Sequence, residues 1–178
     1  ILCVGPHQKA EIRRAEELYE LPAKKLVECG YDLLDRESAA YRLLPRRAGD
    51  AAPVVLVAPS WQEGNLLDSC IDDIIASVRE QGLRIIVRPH PEYVKRYRPR
   101  WDAILERYAD IPSDELFFEH DFSSNETIFT SDVLVTDWSS TAFEFSFSTN
   151  KPCVFVNTPM KVGNPSWQEL GIEPTDAQ

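Results

Sequence analysis

The stretch "VLVTDWSSTAFEF", residues 133–145, places four polar side chains between two apolar runs. They are Asp137, Trp138, Ser139 and Ser140, and none is the Gly, Pro or Asn that a plain turn favours. The pattern predicts a strand that stops, a helix that starts, and a bound group where the two meet.

The same alternation of apolar runs and helix-like segments continues on both sides of this stretch. Strands are predicted within 1–5, 24–30, 54–60, 83–90, 116–120, 132–136 and 151–158. Helices are predicted at about 7–19, 32–44, 65–82 with Asn65 as N-cap, 93–108, 139–147 and as a short helix in 121–130. The segment "PRRAGDAAP", residues 45–53, is the best candidate for a linker.

Strand–helix alternation of this kind predicts the α/β class, a Rossmann-like parallel sheet with helices on both faces. The run "VVLVAPS" has no polar alternation, which is typical of a strand buried on both faces. The GxGxxG fingerprint of dinucleotide-binding proteins is absent.

The charge balance argues against one class of partner. The chain of 178 residues carries a net charge of -10, so it lacks the broad positive surface of a nucleic-acid-binding protein. One segment, "VRPHPEYVKRYRPRW" at residues 87–101, instead collects five cations around the single acid Glu92. This basic stretch predicts either a solvated helix face or a surface that attracts an anionic ligand or membrane.

Other familiar patterns are missing from the sequence. No CxxC, HxH or HExxH spacing occurs, so we expect neither a metal site nor another cofactor. No apolar run approaches the ~20 residues of a membrane-spanning helix. The sequence therefore predicts a cytoplasmic protein, with the inner face of the cell membrane as a further candidate location.

Polar segments follow five of the predicted strands: "APSWQEGN", "RPHPE", "EHDFSSNE", "TDWSST" and "NTPMK". The carboxyl ends of parallel strands share one edge of a sheet, where ligands of such folds bind. Five polar ends on that edge indicate a ligand cleft. The candidate ligand-contacting residues there are Ser60, Arg88, His90, Asn125, Asp137, Ser139 and Ser140.

Ser139 and Ser140 stand where a helix is predicted to begin. A phosphate there would accept bonds from unpaired N–H groups at the positive helix end and from the two hydroxyls. The alternative is that Ser139 only caps the helix. We expect Asp137 to orient the loop through backbone N–H groups, because two anions repel.

His90 lies between Pro89 and Pro91, which restrict the backbone on either side of it. An imidazole held in this way could donate to an anion or transfer a proton, and a structural His bonded to a carbonyl is the alternative. Ser139, His90 and Asp137 are also the residue types of a hydrolase triad. That interpretation is disfavoured because no GxSxG turn occurs.

Four segments together resemble the CDP-glycerol glycerophosphotransferase family of teichoic acid polymerases and primases, in its C-terminal, donor-binding half. They are "APSWQEGN", "VRPHPE", "SSNETIFTSDVLVTDWSS" and "KPCVF", in the family's order over about residues 53–157. Two departures concern Trp138, where the family usually has Tyr, and Gln62, where it often has a basic residue.

The resemblance implies the C-terminal half of a GT-B fold, with residues 46–178 as a donor-binding domain. Residues 1–45 would be the end of the preceding half or a bridge from it, in a chain cut from a longer polypeptide. The implied reaction moves glycerol phosphate, or a related polyol phosphate, from a CDP-activated donor to an envelope polymer or lipid-linked acceptor, without a metal. By the same resemblance, His90 contacts the donor phosphate, Ser139 and Ser140 hold the pyrophosphate, and a catalytic base lies in the other half.

Two further functions stay open at this point. One is a GT-B glycosyltransferase or a sugar-nucleotide epimerase that uses another nucleotide sugar. The other is a nucleotide-binding module without activity of its own.

Overall fold

The computed structural model describes residues 1–45 and 52–174. Most of the predicted linker, residues 46–51, lies outside the described residues. Seven strands are present in the described part: β1 Leu2–Cys3, β2 Val27–Glu28, β3 Val54–Val57, β4 Arg84–Val87, β5 Leu116–Phe118, β6 Val133–Thr136 and β7 Cys153–Phe155. Each of them lies within a segment that the sequence predicts to be a strand.

Five of the strands form one parallel sheet in the order β5-β4-β3-β6-β7. The chain builds β3, β4 and β5 outward in one direction and then returns to place β6 on the other side of β3. The crevice outside the carboxyl ends of β3 and β6 is therefore the switch point, where ligands of doubly wound sheets bind. The predicted parallel α/β sheet is confirmed.

Nine helices accompany the strands in the described ranges. They are α1 Pro6–Leu18, α2 Asp32–Leu43, α3 Leu66–Ser69, α4 Ile71–Glu80, α5 Pro91–Arg96, α6 Arg98–Arg107, α7 Glu126–Thr130, α8 Thr141–Thr149 and α9 Trp167–Leu170. The last of these, α9, was not predicted from the sequence.

Two helices that the sequence predicts as continuous are each divided in two. The backbone leaves the helical region at Cys70, between α3 and α4, and at Tyr97, between α5 and α6. The second break has a clear cause, because Pro99 lies in the first turn of α6 and its ring would clash with the carbonyl one turn earlier in a continuous helix. Nothing in the structure explains the first break.

Apolar side chains pack on both faces of the sheet, as predicted. On one face, α3, α4, α5 and α6 cover the sheet with a cluster that includes the fully buried Tyr93 and Trp101. On the other face, Ile128 of α7 and Phe145 of α8 pack on β3 and β6. All four residues of β3 are buried, which accounts for its unbroken apolar sequence.

The first 45 residues contain a second, two-stranded parallel sheet, β1 with β2. Helix α2 of this segment packs on α8, and Tyr31 Oη donates to Glu144 Oε1 at 2.7 Å. The segment is thereby joined to the layer of helices on one face of the five-stranded sheet. Its assignment to a preceding half of a larger fold stays a prediction.

Candidate functional site

Asp137 occupies the switch point and joins the loops after β3 and β6. Its Oδ1 accepts a hydrogen bond from the backbone N–H of Ser60 at 2.7 Å, and its Oδ2 accepts one from the backbone N–H of Leu66 at 2.9 Å. The residue is only 2% exposed, so both bonds are made away from water. The carboxylate therefore orients the loop through backbone N–H groups, as the sequence led us to expect.

The loop between β3 and α3 is held by a second buried polar side chain. Asn65 donates from Nδ2 to the carbonyl of Ser60 at 2.9 Å and accepts from the backbone N–H of Leu67 at 2.8 Å. Asn65 is thus the predicted N-cap, at the start of α3. The hydroxyl of Ser60 donates to Oε1 of Gln62. Ser60 itself is buried, and its hydrogen bonds within the described residues go to its own loop and to Asp137.

The two predicted phosphate-binding hydroxyls have different environments. Ser139 is buried, and its Oγ accepts from the backbone N–H of Thr141 at 3.4 Å and lies 3.1 Å from the Thr141 hydroxyl. Ser140 is exposed, and its hydroxyl makes no hydrogen bond to the described residues. Ser139 thus makes a local bond to the first residue of α8 from one position before the N-cap, which is Ser140, and Ser140 offers the accessible hydroxyl at the start of α8.

His90 begins α5, with Pro91 as the first residue of the helix. Its Nδ1 accepts a hydrogen bond from the backbone N–H of Glu92 at 3.1 Å, so this nitrogen carries no proton and Nε2 carries it in the neutral ring. Burial, aided by the positive charge of Lys161, lowers the pKa of His90, while Glu92 opposes that shift. A neutral imidazole with a protonated Nε2 can donate to an anion at the carboxyl edge.

Arg88, which precedes Pro89, forms a buried ion pair with Glu119 at 2.7 Å. It also donates to the Thr127 hydroxyl at 3.2 Å and to the carbonyl of Ser124 at 3.1 Å. These contacts join the ends of β4 and β5 to the start of α7. The predicted contact of Arg88 with a ligand stays a prediction, and its guanidinium already has protein partners.

Asn125, the remaining candidate, stands just before α7 and is partly buried. Its Nδ2 donates to Oε1 of Glu37 on α2 at 2.7 Å. This contact turns the amide nitrogen toward the first 45 residues. A ligand contact for Asn125 is likewise still a prediction.

A sequence profile of the CDP-Glycerol:Poly(glycerophosphate) glycerophosphotransferase family matches residues 8–161. The chain belongs to this family. No curated protein matches the chain.

One solved structure similar to this chain shares its fold, and a second gives a weaker superposition. A variant of the wall teichoic acid polymerase TagF superposes with a TM-score of 0.53 at 19% identity, covering 98% of this chain and 42% of that one. A TagF crystal soaked with CDPG gives a TM-score of 0.48 at 20% identity, covering 86% of this chain and 36% of that one. The chain thus spans roughly two fifths of the length of these polymerases.

The sequence analysis did not single out two charged residues near the candidate site. Lys161 lies in the "NTPMK" segment after β7, and its charge acts on His90. Glu37 lies on α2 and is 6% exposed, with one oxygen bonded to Asn125 and no partner for Oε2 among the described residues. Lys161 could have been found from the sequence, because it lies in a polar segment after a predicted strand. Glu37 could not, because it lies in an ordinary amphipathic helix pattern.

Beyond Arg88, the cations of the basic stretch pair with four carboxylates among the described residues, two of them close in sequence and two of them distant. Arg96 and Lys95 pair with Glu92, Arg98 pairs with Asp102, and Arg100 pairs with both Glu63 and Asp68. Acids from outside the stretch therefore offset part of the charge that the sequence places around Glu92 alone. A solvated, salt-bridged helix face fits the arrangement. Contact with an anionic membrane stays a prediction.

Within residues 1–45 and 52–174, no group of three His, Cys, Asp or Glu side chains is arranged to hold a metal ion. No helix in those ranges has both the length and the apolar character needed to cross a bilayer.

Proposed function

We propose that this chain binds the CDP-activated donor of a polyol-phosphate transferase, with the donor's diphosphate at the carboxyl ends of β3 and β6. The observation that carries the proposal is the Asp137 bridge, which joins two polar loops at the switch point in a member of the glycerophosphotransferase family. Such a bridge positions backbone and side-chain donors before a ligand arrives, which reduces the ordering cost of binding.

The reaction we propose for the whole polypeptide is a single phosphoryl transfer. A hydroxyl oxygen of the acceptor attacks the phosphorus that carries glycerol, and a new P–O bond forms. The bond from this phosphorus to the bridging oxygen breaks, and CMP leaves with the electron pair. The acceptor proton passes to a base that we place outside this chain.

The residues of this chain stabilise the charge that shifts during that step. The neutral imidazole of His90 donates its Nε2 proton to a phosphate oxygen, and Lys161 adds positive charge beside it. The exposed Ser140 hydroxyl and the start of α8 meet the diphosphate, where the helix end is positive. Donors placed in advance of the reaction are an effective means of catalysis.

Calorimetric titration of CDP-glycerol, CMP and UMP into the chain tests the donor assignment. We expect CDP-glycerol to bind more tightly than CMP, and CMP more tightly than UMP. Tighter binding of a UDP- or GDP-sugar would instead favour a glycosyltransferase, and no binding of any nucleotide would refute a donor site. Comparing transfer by this chain with transfer by the whole polypeptide then distinguishes an active unit from a donor-binding module.

A further inference from the structure

Gln62 lies in the loop after β3 and has one buried amide atom without a partner. Its Oε1 accepts a hydrogen bond from the Ser60 hydroxyl. Its Nε2 is buried and makes no hydrogen bond to any residue that the structure describes. Rotating the amide by half a turn would pair Nε2 with Ser60 and leave Oε1 unpaired instead, so one amide atom is unsatisfied in either orientation.

An unsatisfied buried amide costs stability, and native proteins retain few of them. Ser60, the hydrogen-bonding neighbour of Gln62, is held by Asp137 from one side and by Asn65 from the other. Asn65 is fully buried and Asp137 is 2% exposed, so the loop has a fixed conformation. Gln62 therefore lies in a loop that Asp137 and Asn65 anchor beside the switch point.

The chemistry of the amide limits what it can recognise. A carboxamide carries no charge, whereas binding of a diphosphate favours cations, helix ends and backbone N–H groups. The next residue, Glu63, is an acid paired with Arg100 at 2.7 Å, so it does not favour a diphosphate beside Gln62. A neutral hydroxyl is the complementary partner, because its oxygen can accept from Nε2 without a charged group being buried.

A nucleobase is the less suitable occupant of this position. Bases bind aromatic faces, and the aromatic residue next to Gln62 is Trp61. The guanidinium of Arg96 lies over the Trp61 ring, 4.8 Å from its centroid, and covers that face. The loop thus offers a ligand the unpaired amide of Gln62, and it offers no open aromatic face for a base to stack on at Trp61.

We propose that Gln62 is a specificity-determining residue, whose amide donates a hydrogen bond to a hydroxyl of the polyol part of the donor. This inference rests on the proposed function. The side chain as a whole is only partly buried, so rotation of its outer torsions can bring the amide to the ligand without movement of the backbone. Gln62 thereby distinguishes donors by the polyol and leaves the nucleotide to other residues.

The test compares wild type with Gln62→Met, which keeps the length of the side chain and removes the hydrogen bond. Calorimetry measures the binding of CDP-glycerol, CDP-ribitol and CDP to each protein. We expect Gln62→Met to weaken CDP-glycerol binding by about fivefold to tenfold, as the loss of one neutral hydrogen bond does, and to change CDP binding by less than about twofold. The ratio of CDP-glycerol to CDP-ribitol affinity should also change.

Gln81→Met is the matched control, since Gln81 is exposed at the end of α4 and its replacement should alter no affinity. Thermal unfolding checks that Gln62→Met is folded, because the variant removes the unpaired amide but also removes the acceptor of the buried Ser60 hydroxyl. Equal loss of CDP-glycerol and CDP binding, or no loss of either, overturns the role of Gln62 while the donor site stands. Failure of wild type to bind CDP-glycerol and CDP overturns the proposed function, and this inference with it.

Discussion

Oδ1 of Asp137 accepts a hydrogen bond from the backbone N–H of Ser60 across 77 residues of sequence, and this bond ties the end of β6 to the end of β3. Since its Oδ2 is bonded to the backbone N–H of Leu66, the same carboxylate also holds the start of α3. Two loops that surround the switch point therefore depend on one buried side chain.

Asp137→Asn should destabilise the protein, because an amide NH2 group would then face one of the two backbone N–H groups. We expect a loss of about 2 kcal/mol in the free energy of unfolding, the size of a charge-assisted hydrogen bond left without its acceptor. Urea denaturation measures it. Asp110→Asn, at an exposed position, is the control and should be neutral. Equal stability of the two variants would show that the bridge contributes nothing.

Arg88 and Arg98 form ion pairs of equal length in different surroundings. Each pair is 2.7 Å long, but the side chains of Arg88 and Glu119 are 12% and 7% exposed, against 66% and 50% for Arg98 and Asp102. Arg88→Met should cost about 3 kcal/mol or more by leaving the buried Glu119 charge without its cation. Arg98→Met should change stability by less than about 1 kcal/mol. Denaturation curves measured in low and high salt should separate the two variants, and similar losses would contradict the assignment.

Glu37 is expected to destabilise the protein at neutral pH. Burial and the nearby charge of Glu144 raise its pKa above the usual 4.5, although Arg36 and Arg88 oppose this. The folded state therefore binds the proton more tightly than the unfolded state does. The stabilising contribution of protonated Glu37 is complete below about pH 4.5 and is lost as the pH rises through its folded pKa.

Glu37→Gln keeps an oxygen for Asn125 and removes the buried charge. We expect the variant to be more stable than wild type by about 1 kcal/mol at pH 7, with a difference that shrinks as the pH falls toward 4.5. Thermal unfolding across this pH range gives the comparison. Glu126→Gln, at an exposed position on α7, should show no such trend. A difference that grows on acidification would mean that the direction of the shift is wrong.

Local sequence patterns predicted the strands and the polar edge because those patterns reflect interactions close along the chain. β3 is apolar throughout because both of its faces are covered, and Asn65 caps α3 through N–H groups two and three residues ahead. The Asp137 bridge could be expected only as a contact with some backbone N–H groups. Its partners, Ser60 and Leu66, depend on how β3 and β6 pair, which no local pattern specifies.

The same reason explains what the sequence did not reveal. The basic stretch looked isolated because its acids, Glu63 and Asp68 for example, come from another segment of the fold. Glu37 could not be found from the sequence, since its burial depends on α2 packing against α8. Pro99 did carry a signal for the break at Tyr97, and a Pro within a predicted helix predicts such a break.

His90 should affect turnover more than stability. In the whole polypeptide, His90→Asn keeps an acceptor for the Glu92 N–H, since Asn is a good N-cap, and removes the imidazole donor. We expect kcat to fall by about 10²-fold or more, the usual size of an acid–base or anion-stabilising contribution. His90→Ala should lose the cap as well and unfold more easily. Near wild-type turnover of His90→Asn would refute the role of the imidazole.

Ser139 and Ser140 have different environments, so their replacement separates a local structural role from ligand binding. Ser139 bonds its own helix through Thr141, whereas the Ser140 hydroxyl is exposed and unbonded within the described part of the chain. Ser139→Ala should therefore cost about 1 kcal/mol of stability, as the loss of a local hydrogen bond at a helix start does. Ser140→Ala should leave stability unchanged and weaken CDP-glycerol binding by about tenfold, the loss of one charged hydrogen bond to phosphate.

Calorimetry with CDP-glycerol and with cytidine, which has no phosphate, distinguishes these effects. If Ser140 meets the diphosphate, Ser140→Ala loses affinity for CDP-glycerol and retains its affinity for cytidine. The double Ala variant should then lose somewhat more affinity for CDP-glycerol, because the turn at the start of α8 is less well held. Equal losses for both ligands in Ser140→Ala would mean that the loop had changed shape, since a phosphate contact cannot alter cytidine binding. The phosphate position at α8 would then have to be abandoned.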